Sequence, residues 1–318
     1  MRLLRAELLK LHRPLLWCAA LGAVLFTLLL AVGGAGNAER YTRPVAVPGC
    51  AELHLRPGSA CSGVQRAARG RAAQERADRT ATAVHTAGRL TVPGAGSETA
   101  GLMASLPGAL VVSLLAGGHV GGEWSGRTIK SLLTQCGRRR RVLAAKGVSL
   151  WIAAVAVMVA DWGVLAAAGP LIARADHLPH ATAPALHTLT HSAGQSCRAL
   201  LVLALFAAVG VLASVLTRSA IGTLGSCAAV YVGLLATASL PGLGRWTPAT
   251  WVQDWMGFGA GQSSITALPD NFWSRFFTAS GAAPGHLVTG AEAAALAGIA
   301  ALCAWGAAVR FRRSDVLG

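Results

Sequence analysis

Long apolar runs alternate with polar connections along this chain, and the runs set its organisation. Six of them approach the roughly 20 residues of helix that cross a hydrocarbon core: residues 15–32, 102–120, 148–172, 199–216, 221–240 and a last run ending at Val309. The connection between the second and third runs, residues 123–146, carries seven basic side chains against one acid, Glu123. Short connections this rich in Lys and Arg stay on the cytoplasmic side of a membrane, so it fixes the orientation. Arg218 in the turn 217–220, and Arg310, Arg312 and Arg313 after the last run, fall on the same side. The pattern predicts an all-α polytopic membrane protein with six transmembrane helices and cytoplasmic N and C termini.

The polar stretches predict smaller elements. In residues 1–13, Leu4, Leu8 and Leu11 fall at helical spacing with Leu15, while Arg2, Arg5, Lys10 and Arg13 take other faces. Such a segment reads as a helix on the inner membrane surface, or as a plain basic flank. No small-residue cleavage site follows the first run, which is expected to stay as an anchor.

Residues 33–101 form a large external loop between the first and second spans. It holds nine arginines, and long loops translocate largely regardless of charge. Its segment 63–88, rich in Ala, Arg and Gln, reads as a helix or helical pair forming a small lid. Cys50 and Cys61 lie close together on a side expected to be oxidising, and a disulfide is the expectation.

The second run contains Pro107 and the small-residue group Ala116-Gly117-Gly118, which suits close helix packing. Residues 241–287 hold four of the nine Trp, with Trp251, Trp255 and Phe258 at i, i+4 and i+7 and a second cluster at Trp273, Phe276 and Phe277. Amphipathic aromatics prefer the membrane interface, so short interfacial helices are expected before helix 6.

Composition strengthens this picture. Hydrophobic residues make up 53% of the chain and charged ones 13%, with mean hydropathy +0.52, which is not a soluble composition. The formal charge of +15 sits mostly beside apolar runs, where topology and anionic headgroups account for it. No groove-reading or base-stacking motif accompanies the charge, so no nucleic-acid partner is expected.

Candidate chemistry is sparse. Asp161 lies near the middle of the third run, where a lone carboxylate must face the bundle interior or a water-filled cavity. It reads either as a substrate-facing or relay residue or as a structural acid. Glu292, near the outer end of the last run, is expected to be hydrated, and His119 to be an interfacial histidine. His177, His180, His187 and His191 share an external loop interrupted by prolines, which argues against a metal site. No G-x-x-x-x-G-K-[ST] occurs, so the chain does not cradle ATP phosphates through a P-loop.

One stretch carries a family resemblance. Glu123, Thr128-Ile129-Lys130, Leu132-Leu133, Arg138-Arg139 and the closing Arg141-Val142-Leu143-Ala144-Ala145-Lys146 resemble the first cytoplasmic loop of ABC-2 type transporter permeases. Arg127 stands where that family's loop has Gly, and Gly137 where it has Pro. The resemblance implies a single ABC-2 type transmembrane domain over 1–318, with the N-terminal segment as an elbow helix, 121–147 as a cytoplasmic coupling loop and 241–287 as a re-entrant segment. It also implies an ATPase-coupling role for Glu123, Thr128, Ile129, Lys130, Leu132 and Leu133.

The implied partners are a separate ABC ATPase subunit, which would carry the ATP and Mg, and a second permease copy or paralogue in the same lipid bilayer. No cofactor or metal is expected on the chain itself, nor an enzyme activity. The implied function is export of a lipophilic or amphiphilic compound, a drug, peptide or lipid, across the cell membrane. Two other classes stand beside it: a non-pumping sensor or immunity protein that binds a ligand through the external loop, and a membrane-embedded enzyme. The enzyme reading lacks an intramembrane histidine partner for Asp161 or Glu292.

Overall fold

The structure, a computed structural model, describes residues 2–10, 14–42, 47, 49, 52, 59–126, 139–179, 186–238, 246–257 and 289–313. Every regular element among them is helical. In chain order these are α1 (Arg2–Leu9), α2 (Pro14–Thr42), α3 (Ser59–Arg89), α4 (Val92–Met103) and α5 (Leu106–Ala116). A π turn, Gly117–Gly121, leads from α5 into α6 (Gly122–Ser125). There follow α7 (Arg139–Ala175), α8 (Leu186–Thr217), α9 (Ala220–Ala238), α10 (Pro248–Met256) and α11 (Thr289–Arg313).

Among the described residues, four stretches are long and apolar enough to cross a membrane: Trp17–Gly36 in α2, Arg140–Ala175, Thr188–Thr217 and Gly290–Arg313. The pair formed by α4 with the α5–α6 segment is a fifth when taken as one broken span, bent by 65°. Against the expected six, α9 falls short. Its apolar part, Ala220–Leu234, covers about 22 Å at 1.5 Å per residue, less than the roughly 30 Å hydrocarbon core.

The second span also begins earlier than its hydropathy suggests. Residues 92–101, read above as the end of the external loop, are helical and largely buried. Thr91 caps the helix by accepting a hydrogen bond from Gly94 N–H at 3.3 Å, and Pro93 stands in the first turn, where its missing N–H costs nothing. The Gly, Ser and Thr of α4 look loop-like in sequence, but they let its backbone lie close to α7 and α8. A Cβ on Gly96 would come within 2.6 Å of Ser192 Oγ. The bend follows at Ala104 and Ser105, where extended Ser105 and then Pro107 interrupt the helical ladder.

The main core is built around α8, which packs against α11, α4, α5, α9 and α7. A smaller cluster of Ala35, Ala87, Leu90, Ala95, Leu165 and Leu178 ties the end of α2 to α3, α4 and α7. The predicted lid segment is one continuous helix, α3, which buries Ala72, Ala83 and Ala87 and leans on α2.

The bundle has two distinct ends. At one, Trp124 of α6 meets Phe311 of α11 edge-to-face at 5.8 Å, and the Arg218 guanidinium lies 5.2 Å from the Trp124 ring. Trp124 is therefore packed against the core at that end. At the other end lie α3, α10 and the start of α8. There α10 is capped by Thr247 and closed by left-handed Gly257, and Trp255 Nε1–H donates to Arg198 O at 3.0 Å. The aromatics of α10 thus pack onto the bundle: Trp251 and Trp255 lie against the main core. Phe258, Trp273, Phe276 and Phe277 lie outside the described residues. Glu292, expected to be hydrated, is only 2% exposed in the first turn of α11. An acid there faces the positive end of the helix dipole.

Bare glycine backbone lets α9 start against the π turn. A Cβ on Gly121 would sit 2.9 Å from Ser219 O and 3.0 Å from Ala220 N, with only backbone to give way. Gly22 on α2 has no atom within 4 Å of the same position. Gly121→Ala is therefore expected to lower the melting temperature of the purified protein, while Gly22→Ala leaves it unchanged or raises it. Equal behaviour of the two would show that close approach at the π turn is not required.

Candidate functional site

The least expected feature lies at the end of the bundle that holds Trp124 and Phe311. Among the side chains of α1 that the structure describes, Glu7 is buried, 1% exposed, and Leu8 is half-buried, while Leu4, Leu11 and Leu15 of the predicted leucine face lie outside the described side chains. Helix α1 packs on α7, and what Glu7 meets there is Lys146, also buried. Their Nζ–Oε2 distance is 2.9 Å. Lys146 Nζ also lies 2.7 Å from Glu123 Oε2, brought in by α6. Lys10, just past α1, closes the figure: its Nζ is 3.1 Å from Glu7 Oε1 and 3.0 Å from Glu123 Oε1.

Two carboxylates and two ammonium groups thus alternate in a ring with no net charge. Each carboxylate spans both cations, one oxygen to each. Desolvation alone would make such charges costly to bury, and only close alternation offsets it. Burial pushes the Glu7 carboxyl up, but hydrogen bonds and charge from Lys146 and then Lys10 outweigh it and hold the group below its ordinary value. For Lys10, burial pulls the ammonium down, and Glu123 and Glu7 together raise it above its usual range.

The π turn aims a second polar side chain at the ring. His119 Nε2 lies 2.9 Å from Ser149 Oγ and 3.5 Å from Glu7 Oε2. Ser149 donates its hydroxyl proton to Lys146 O at 3.0 Å, so it accepts from His119, which fits a proton on Nε2. The expected interfacial histidine is in fact a buried outer partner of the ring.

The sequence-predicted site residues are brought together only in part. Glu123 is in the ring and 2% exposed. Thr128, Ile129, Lys130, Leu132 and Leu133 lie outside the described residues. Asp161 is 1% exposed and faces the interior, where Thr27 Oγ1 donates to its Oδ2 at 2.8 Å. That contact ties α7 to α2. Cys61 is disulfide-bonded, and Cys50 lies outside the described residues. Among the described residues no group of three or more His, Cys, Asp or Glu could hold a metal ion.

Sequence reasoning missed Glu7 and treated Lys10 and Lys146 as loop cations. A signal was present. Glu7 is the first acid in the chain, with none until Glu39, and the chain has only three lysines, of which the ring uses two. A lone acid in an otherwise basic flank calls for a buried cation. Compared with protein-family models, curated proteins and solved structures, the chain gives no match.

Two outcomes test the ring. Lys146→Met leaves Glu7 and Glu123 with only Lys10 between them, and breaking a buried ion pair costs about 3–5 kcal/mol. Adding Glu7→Gln to that variant should recover part of the loss, which thermal unfolding in detergent reads directly. The pH response follows from the signs above. The Glu7 contribution is present above its ordinary value near 4.5 and is lost as pH falls through its depressed folded value. The Lys10 contribution is present below 10.5 and is lost as pH rises through its raised value. Spin labels at Ala6 and Val148 should therefore keep one distance between about pH 5 and 10 and separate only outside that window. Release of α1 near neutral pH would contradict this.

Proposed function

We propose that the chain is the membrane permease subunit of an ATP-binding cassette transporter of the ABC-2 type. In this reading it spans the cell membrane with both termini in the cytoplasm and exports a lipophilic or amphiphilic compound. The observation that carries the proposal is the ion ring. Glu123 and Lys146 bracket the loop whose sequence resembles the coupling loop of that family, and they are paired with each other and with Glu7 of α1. The two ends of that loop and the N-terminal helix therefore move as one body. A force applied there reaches the second span through α6 and the third through α7.

Other features support the same reading. The chain has no P-loop, so the hydrolysing subunit is a separate protein carrying ATP and Mg. The disulfide at Cys61 in α3 suits an oxidising exterior, and this supports a reading with the ring and the basic loop inside. Alternation between inward-facing and outward-facing states requires nucleotide binding to favour one arrangement of the attached ATPase pair. A second permease copy or paralogue completes the path. The apolar bundle interior suits drugs, peptides or lipids as cargo.

Affinity purification of the tagged chain in mild detergent, with mass spectrometry and an ATPase assay, tests this. Wild type should bring down a P-loop ATPase. Leu132→Asp with Leu133→Asp should lose it, and Glu7→Gln should keep the partner while reducing substrate-stimulated hydrolysis. Recovery of a folded, membrane-inserted chain with no ATPase would overturn the permease reading in favour of a non-pumping sensor or immunity protein.

A further inference from the structure

Between α7, α8 and α11 an open cleft of about 430 Å³ faces outward from the bundle. It exists because the facing positions are small. Gly147 on α7, Ala204 and Ala208 on α8 and Ala304 on α11 line it, where larger side chains would have filled the space. Trp151 closes one end, its ring fixed by Nε1–H donating to Leu200 O at 3.1 Å. Arg140 stands at the other end and is the only charged residue in the lining.

We propose that this cleft binds an anionic phospholipid, with one acyl chain along the cleft and the phosphate on Arg140. Length favours this occupant. From Arg140 to Trp151 is eleven residues of helix, about 16 Å, or one leaflet of a hydrocarbon core about 30 Å thick.

Charge selects the headgroup. Arg140 and Arg141 are exposed, as is Arg310, where α11 ends at the same end of the bundle. Among the described residues no carboxylate pairs with Arg140. Basic pockets between membrane helices attract anionic headgroups for this reason. A zwitterionic lipid also offers a phosphate, but its own ammonium cancels the net charge and weakens the attraction to the guanidinium.

The inference needs the bundle to span a bilayer, as in the proposed function, but it does not need the chain to pump.

Trp151 supplies the probe. The protein is reconstituted into vesicles containing brominated phosphatidylglycerol or brominated phosphatidylcholine at equal mole fraction, and tryptophan quenching is compared with that of Trp151→Phe. The Trp151 contribution should be quenched at about fivefold lower phosphatidylglycerol than phosphatidylcholine, the preference expected from one basic residue beside an anionic headgroup. Arg140→Gln, at an exposed position, should erase the preference, and Ala208→Leu should weaken quenching by both lipids.

Equal quenching by the two lipids, or a preference that survives Arg140→Gln, would overturn the site and leave ordinary annular contact. Exposed Trp17 and Trp305 serve as internal controls. If either lipid quenches them but neither reaches Trp151, the cleft is covered by protein and the lipid site fails while the membrane reading stands. Were no tryptophan quenched at all, both would fail.

Discussion

Two glutamates and two lysines buried in one ring are the constraint to which one whole end of this molecule is fitted. Three separate parts of the chain supply them: α1 with Lys10 just past it, α6, and the first turns of α7. The ring does not add much stability over an apolar core of the same volume, because desolvating four charges cancels most of their attraction. What it adds is specificity. An apolar contact between α1 and α7 could slide by a turn at little cost, whereas moving Glu7 by one turn would break its contact with Lys146 and that of Lys10 with Glu123, leaving buried charges half-paired. The side-chain exposures of Glu7, Glu123 and Lys146, all 2% or less, make that penalty large, and Lys10 at 32% is the one partner with a path to solvent.

Beside the ring the backbone comes unusually close. Gly117 and Gly121 present bare backbone to the first residues of α9, and a Cβ on Gly117 would approach Ala220 O to 2.8 Å. The same five-residue π turn advances the helix by one extra residue per turn, which brings His119 and Glu123 to the α1–α7 side together. Nearby, Arg218 adopts a left-handed backbone at φ 52° between α8 and α9, and its guanidinium covers Trp124. A non-glycine residue in that conformation costs about 1 kcal/mol, and the cation–π contact offsets a comparable amount. Close backbone packing and ionic locking are thus parts of a single arrangement.

The long helices were legible in the sequence because a hydrocarbon core imposes length and apolarity, and both can be read residue by residue. Tertiary partnership was not. The bend after Met103 was foreshadowed by Pro107, but α4 was hidden because its Gly, Ser and Thr serve equally in loops and in tightly packed membrane helices. Asp161 was correctly singled out as costly to bury, while its partner Thr27, 134 residues away, leaves no trace in spacing. Glu7 was overlooked for the opposite reason. Its local pattern suggested an amphipathic surface helix, and hydrophobic periodicity says nothing about an acid whose cation arrives from another span. Charge bookkeeping along the chain would have served better there than hydropathy.

Helix α7 links the two buried acid contacts into a longer mechanical element. Lys146 and Asp161 are fifteen residues apart on one uninterrupted helix, about 22 Å along its axis and within roughly a sixth of a turn of the same face. Glu7 grips that face at one point and Thr27 at the other, so the first 27 residues follow α7 through two polar contacts. Between and around these contacts α2 is weakly held, with Trp17, Leu21, Leu25 and Leu29 all exposed at four-residue intervals. A helix with an apolar outer face has no reason of its own to prefer one register, since lipid or another apolar surface covers it equally well at any rotation. The two polar contacts remove that freedom. Because α7 is a rod between them, tilting it at the ring end must either carry Thr27 with it or break its hydrogen bond to Asp161, which would leave a second oxygen of a buried carboxylate without a donor. The stiff response, in which α1, α2 and α7 move together, is the less costly of the two.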